Sequence, residues 1–385
     1  MELKDTWWVN PNQLDEDQKM VIAAPINQSS LVLGPPGSGK SNLLLLRADY
    51  LQKAGHPNSI ILVFTKQLQE FMKAGVSNYS FSESKIVTSL SWFRAILLEN
   101  DIDVEFSGDF QKDRNSLVEG VHSLIRKNKL SNLYEYILLD EAQDYLPEEI
   151  EIFNKLCKHI FAVADSKQKI YAGDDPVEIM NQIVDKTYLL KYHYRNGLQI
   201  CKLADGISKQ SDNYVSLVET SNYNETTAPS TVEVINNKTV EEQCNIILTR
   251  LQSQIMVYPN ELIGIITPRK QELDEILDFF SKTSLYTDGL LQISDDGTPS
   301  LDYSKPIVIT TMHSAKGLEF RALHIVAAEF VKKHPKQRNI CFTGVTRAKT
   351  SLCVYHLGEL PAYFEQALVN MQRPPSLPTI EDLFK

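Results

Sequence analysis

Two short stretches carry the residues best able to do chemistry. Gly34-Pro35-Pro36-Gly37-Ser38-Gly39-Lys40-Ser41 fits the spacing GxxxxGK[ST], with an apolar run, 30–33, before it and a helical stretch, 41–52, after it. Glycines at 34, 37 and 39 let the loop's N–H groups, Ser38 included, turn inward around a phosphate. The helix N-terminus adds positive dipole, Lys40 brings a point charge to the β- and γ-phosphates, and the Ser41 hydroxyl suits Mg2+. The second stretch is Tyr136-Ile137-Leu138-Leu139-Asp140-Glu141-Ala142-Gln143-Asp144, an apolar strand that delivers two adjacent acids to its C-terminal end. That end is where open α/β sheets bind ligands. Asp140 is expected to hold Mg2+, directly or through water, and Glu141 to orient and deprotonate an attacking water. A competing reading makes these acids capping groups for a helix beginning near Pro147. Beside a phosphate cradle it is the lesser one, and the expected chemistry is nucleotide hydrolysis with ATP and Mg2+.

Such residues need strand ends and helix starts to hold them, and the chain supplies both throughout. Short apolar runs at 30–33, 59–64, 85–88, 134–139 and 159–164 alternate with helical stretches such as 41–52, 67–74 and 147–158. The pattern resumes with runs at 231–235, 261–266, 306–311, 322–326 and 351–355, separated by helical stretches at 240–251, 270–280 and 337–348. The expected fold class is α/β, with parallel sheets flanked by helices in two tandem domains, 1–185 and 186–385, the boundary lying near Asp185–Thr187. Residues 99–131 break the alternation and read as a small helical insertion in the first domain. Residues 208–230 and 281–303, rich in Ser, Asn, Asp and Gly, read as surface loops. A proline-rich tail occupies about 372–385; its Asp382-Leu383-Phe384 faintly resembles sliding-clamp-binding peptides, but a frayed or self-packing terminus is the preferred reading.

Composition narrows the partners. Across 385 residues there are 39 Lys plus Arg against 49 Asp plus Glu, a net charge of −10. Bulk attraction to a polyanion is therefore excluded, and any nucleic acid must be gripped locally. No run of 18 or more apolar residues offers a membrane span, and Met1 to Trp8 lacks the order of a secretory signal. Five cysteines without CxxC spacing fit a reducing, cytoplasmic setting rather than disulfides or a cysteine-built zinc site.

A phosphate cradle with an acid also suits kinases, transporters and GTPases; the far half decides. Ile309-Thr310-Thr311-Met312-His313-Ser314-Ala315-Lys316-Gly317-Leu318-Glu319-Phe320, Phe342-Thr343-Gly344-Val345-Thr346-Arg347-Ala348-Lys349 and Tyr192-His193-Tyr194-Arg195-Asn196 strongly resemble motifs of the UvrD/Rep-like superfamily 1A helicases and translocases. The resemblance runs from Gln18 to Ala348 with the motifs in order. It implies two tandem RecA-like P-loop domains that hydrolyse ATP between them. Gln18 would read the adenine edge, Tyr194 would stack on adenine and Glu319 would hold the ribose. Gln168 would sense the γ-phosphate, and Arg195 and Arg347 would be the fingers reaching it. Phe64, Thr65, Tyr171, Thr311, His313 and Ser314 would meet the bound strand, expected to be single-stranded DNA.

The chain departs from the family in three ways. At 172–174 it reads Ala-Gly-Asp, where the family places a base-stacking tryptophan and an arginine. One lost platform forfeits ~1–3 kcal/mol per base. Phe64 and Trp92-Phe93 are either substitute platforms or core. Only 72 residues separate Lys66 from Leu138 and 118 separate Arg195 from His313, too few for the family's accessory domain. The histidine often seen after Thr88 is missing from Thr88-Ser89-Leu90-Ser91-Trp92-Phe93. Two basic clusters, Lys112, Arg114, Arg126, Lys127, Lys129 and Lys332, Lys333, His334, Lys336, Arg338, are candidates for the local grip, though a charge run is more often a solvated face. Two functions follow: an ATP-driven helicase or translocase on single strands, or an ATP-driven switch subunit regulating a protein partner such as a nuclease in a multi-gene DNA-processing or defence system.

Overall fold

The computed structural model describes residues 14–76, 79–165, 176–208, 215–259, 261–294, 301–302, 304–331 and 335–372. Gln168, Tyr171, Gly173, Asp174, Lys332, Lys333, His334 and the tail beyond 372 lie outside the described residues. The chain divides into two compact units, the first ending at His193 and the second beginning at Tyr194.

The first unit runs α1 (Glu16–Ile22), β1 (Ser30–Leu33), α2 (Lys40–Lys53), β2 (Ser59–Val63), α3 (Lys66–Val76), β3 (Ile86–Thr88), α4 (Ser89–Glu99), α5 (Phe110–Arg126), β4 (Tyr134–Leu139), α6 (Pro147–Leu156), β5 (Cys157–Ala164), α7 (Pro176–Ile183) and β6 (Lys186–Leu189). Its six strands are all parallel, in the order β3-β2-β4-β5-β1-β6. A parallel sheet is covered on both faces, so its strands are apolar throughout. β2, Ser-Ile-Ile-Leu-Val, is buried at every position. The two-residue period sends Ile137 and Leu139 of β4 into one core and Tyr136 and Leu138 into the other. Because every strand points the same way, the cradle after β1 and the acids after β4 emerge at the same edge, with β5 between them. Between β3 and β4 the described chain has only the helices α4 and α5, of which α5 lies within 99–131.

The second unit contains α8 (Leu198–Ile207), β7 (Thr231–Ile235), α9 (Val240–Val257), β8 (Ile263–Thr267), α10 (Lys270–Ser281), α11 (Ser284–Thr287), β9 (Leu291–Ser294), β10 (Ile307–Thr311), β11 (Phe320–Ile325), α12 (Pro335–Val345), β12 (Ala348–Tyr355) and α13 (Ala362–Gln372). Its sheet is also parallel, ordered β7-β12-β11-β8-β10-β9, with β8 and β10 buried at every position. Two parallel six-stranded sheets flanked by helices bear out the expected fold class.

Two expectations are corrected. The boundary near Asp185–Thr187 falls on β6, which pairs with β1 through Leu33 and Leu189, so the first unit continues past it. The supposed loop at 281–303 contains α11 and the edge strand β9. Both missed strands are four-residue edges with mixed burial, too short and polar to stand out as apolar runs. None of the described helices is long and apolar enough to cross a membrane.

One buried polar group in the second unit has a measurable consequence. His324 on β11 faces the Tyr355 hydroxyl at 3.0 Å and Gln254 Oε1 at 2.9 Å. Burial, with Arg250 adding to it, drives the imidazole pKa down to about 3. The unfolded chain takes up this proton near pH 6.5 and the folded chain does not, so stability falls as pH drops from about 6.5 towards 3. Denaturant titration of the second unit is expected to show it ~2 kcal/mol less stable at pH 5 than at pH 7 on this account. The loss should shrink in His324→Gln; an identical loss in that variant would remove His324 as its cause.

Candidate functional site

The cradle loop is shaped by its glycines. Gly37 and Gly39 have φ of 78° and 83°, left-handed values that penalise a side chain, and Gly39 is the N-cap of α2. At Gly34 a Cβ would lie 2.6 Å from Ser38 Oγ and 2.9 Å from Leu190 Cβ, so no larger residue fits between the loop and the end of β6. The Lys40 ammonium donates to the carbonyls of Gly34 and Pro35 at 2.8 and 2.9 Å. It thus folds across the loop it is expected to share with a phosphate.

Helix α1 is held to this loop at one end and to α2 at the other. Gln18 closes a capping box with Asp15, and its Nε2 donates to the Ser38 carbonyl at 3.0 Å. Arg47 of α2, 1 % exposed, donates to the carbonyls of Ile22, Ala24 and Pro25 at the other end. Gln18 is therefore held against the cradle with its amide already bonded to the loop main chain.

Asp140 emerges from β4 almost wholly buried. Its Oδ1 accepts the Glu141 N–H at 2.9 Å, whereas Oδ2 is buried without a hydrogen-bond partner. Burial, then the neighbouring Glu141 charge, raises its carboxyl pKa to about 7, opposed by the Ser41 hydroxyl and the Lys40 charge. A buried, orphaned carboxylate oxygen beside a hydroxyl is a site that fits a hard cation completed by phosphate and water. No cluster of three or more His, Cys, Asp or Glu suited to a metal occurs among the described residues. Magnesium bound by Asp140 and Ser41 would neutralise the phosphates' charge. Glu141 occupies φ 49°, ψ 47°, a left-handed conformation unusual for a glutamate. The Gln143 amide donates to its carboxylate. Gln143 was missed in the sequence, since only the fold shows what a buried glutamine touches.

In the second unit the predicted residues also converge. Arg195 is ion-paired with Glu319, and Lys349 lies 4.0 Å from the other oxygen of that carboxylate. Arg347 is 3 % exposed, its Nε donating to Thr343 O at 3.1 Å. Asn196, fully buried, donates to Thr346 O and Ala348 O at 2.8 and 2.6 Å, the two carbonyls flanking Arg347. One unremarked asparagine thus fixes the segments carrying both arginines. Tyr194 is 40 % exposed.

The expected strand contacts divide. Thr65 Oγ1 caps α3 by accepting the Leu68 N–H at 3.2 Å, and Thr88 caps α4 through the Ser91 N–H. Thr311 and Ser314 are buried and bonded to each other, while His313 beside them is half-buried. Phe64 packs edge-on to Tyr145 and Phe110 with Arg114 over its ring at 4.9 Å, so its face is not an open platform. Trp92 and Phe93 are core residues, Phe93 stacked on Phe153, and their substitute-platform reading is withdrawn. Of the basic clusters, Arg114 is buried in an ion pair with Glu149 and Arg126 pairs with Glu119. Arg338 donates to the carbonyls of Ile207 and Ser208. Arg114 and Arg338 serve the fold, through partners too distant in sequence to be seen there, whereas the Arg126–Glu119 pair is exposed and lies within α5.

Residues 115–173 match the UvrD/REP helicase N-terminal domain, and residues 306–355 match the UvrD-like helicase C-terminal domain. The chain is thus similar to UvrD-like helicases in both halves. A solved helicase of PRRSV aligns over 88 % of this chain and 54 % of its own, at 15 % identity and a TM-score of 0.44. The C-terminal domain of a possible DNA helicase from Lactobacillus plantarum WCFS1 aligns over 46 % of this chain and 96 % of its own, at 18 % identity and a TM-score of 0.32. This chain spans about half the length of the first of these, 54 %. No curated protein matches it.

Proposed function

We propose that the chain is an ATP-driven motor on single-stranded nucleic acid, of the helicase or translocase type, with DNA as the preferred strand. ATP is held by the 34–41 loop with Mg2+ on Ser41 and Asp140, and Glu141 activates the attacking water. Arg195 and Arg347 neutralise the charge that develops on the γ-phosphoryl group. The observation that carries this reading is the buried, unpartnered Asp140 oxygen at the end of β4, beside the Ser41 hydroxyl and within reach of the Lys40 charge.

The Arg195–Glu319 pair gives the reading a mechanical consequence. A phosphate would compete with Glu319 for the Arg195 guanidinium, and a ribose hydroxyl on Glu319 would compensate that carboxylate. Nucleotide binding and finger release then become one event, and loss of the γ-phosphate reverses it.

Lys40→Ala tests the cradle. Equilibrium titration with a fluorescent, non-hydrolysable ATP analogue and Mg2+ is expected to show binding weakened roughly 100-fold, the value of a lost charge-assisted contact. Affinity within threefold of the parent protein would remove Lys40 from the phosphate site. The packing of Phe64, Trp92 and Phe93 favours a second reading, in which the ATP cycle drives a protein partner. That reading expects stimulation of hydrolysis by a co-purified protein and none by an oligonucleotide.

A further inference from the structure

Gln143 takes no part in the chemistry assigned above, yet it is 1 % exposed beside it. It lies in the 3-10 turn Ala142–Asp144 that follows the two acids. Its amide is used at both ends. Oε1 accepts the main-chain N–H of Asp165 at 2.9 Å, just past the end of β5, and Nε2 donates to Glu141 Oε2. These partners leave one orientation for the amide, because an N–H must meet the oxygen and a carboxylate must meet the NH2.

Glu141 needs such an anchor. A non-glycine residue at φ 49°, ψ 47° stays there only when its surroundings hold it. A carboxylate acting on water must also be held in one place, since small misplacements of a reacting group are costly in rate. Gln143 supplies the hold from main chain, and main chain at a strand end does not rotate as a side chain does. The same link joins the strand end bearing Glu141 to the one that opens Asp165-Ser166-Lys167-Gln168.

We infer that Gln143 is a positioning residue for hydrolysis, fastening the Glu141 carboxylate to the end of β5. The inference rests on the reading of Glu141 as the water-activating base. Gln143→Met keeps length and volume but removes donor and acceptor; Gln143→Asn keeps the amide and shortens it by one methylene, serving if the first variant folds poorly. Single-turnover ATP hydrolysis is expected to slow about 100-fold. Affinity for a fluorescent ATP analogue should stay within about threefold, since the phosphate cradle is untouched.

A double-mutant cycle separates positioning from mere core filling. In a Glu141→Gln background the same Gln143→Met change is expected to slow the residual rate less than about threefold, because its object is already gone. An equal loss in both backgrounds, or no loss in the parent, overturns the inference and leaves the proposed function standing. Near-parental turnover by Glu141→Gln alone overturns the reading of Glu141 and this inference with it.

Discussion

Glu141→Gln is expected to reduce ATP turnover ~10³-fold, within the range for loss of a general base, while ATP affinity changes little. The substitution is close to isosteric and keeps the side chain able to bond the Gln143 amide, so the strained turn at φ 49° has no new reason to relax. What disappears is the ability to take a proton from water. Because that group acts only as the transition state forms, kcat should fall and the affinity for nucleotide should not. Rapid-quench measurement of a single turnover, beside equilibrium binding of an ATP analogue, separates the two. A rate within tenfold of the parent protein assigns the base elsewhere and returns the two acids to a capping role.

Arg347→Ala is expected to be comparably severe, about 10³-fold or more in turnover, if its guanidinium meets the γ-phosphoryl group. Arg347 is nearly buried and bonded to the Thr343 carbonyl, so truncation also leaves a small void; Arg347→Lys, which keeps the charge and loses the planar fork, belongs in the same experiment. A finger predicts that both variants hydrolyse slowly at temperatures where their melting curves show them folded. A structural arginine predicts the opposite, a lowered melting temperature with turnover close to normal in whatever remains folded. The neighbouring Arg195 differs, since it starts in an ion pair with Glu319.

What the sequence disclosed and what it hid follow from the range of the interactions. The cradle, the acids and the buried strands are local patterns, a loop spacing or a run of apolar residues, and each lies where the sequence put it. β6 and β9 escaped notice because an edge strand of four residues needs no apolar run. Phe64, Trp92 and Phe93 were ambiguous because a stacking ring and a packing ring look the same until their neighbours are known. Arg114 read as a candidate nucleic-acid contact because Glu149, its partner, is 35 positions away and comes close only when α5 packs on α6. Gln143 and Asn196 were overlooked for the same reason, since their amides reach main-chain atoms 22 and about 150 positions distant.

Coupling of ATP hydrolysis to a single strand is read from steady-state hydrolysis by the parent chain, with and without a single-stranded DNA oligonucleotide. A motor on single strands shows a basal rate above that of Lys40→Ala and a severalfold rise on adding the oligonucleotide. Hydrolysis that proceeds at the same rate with and without DNA, or that never exceeds the Lys40→Ala background, contradicts it.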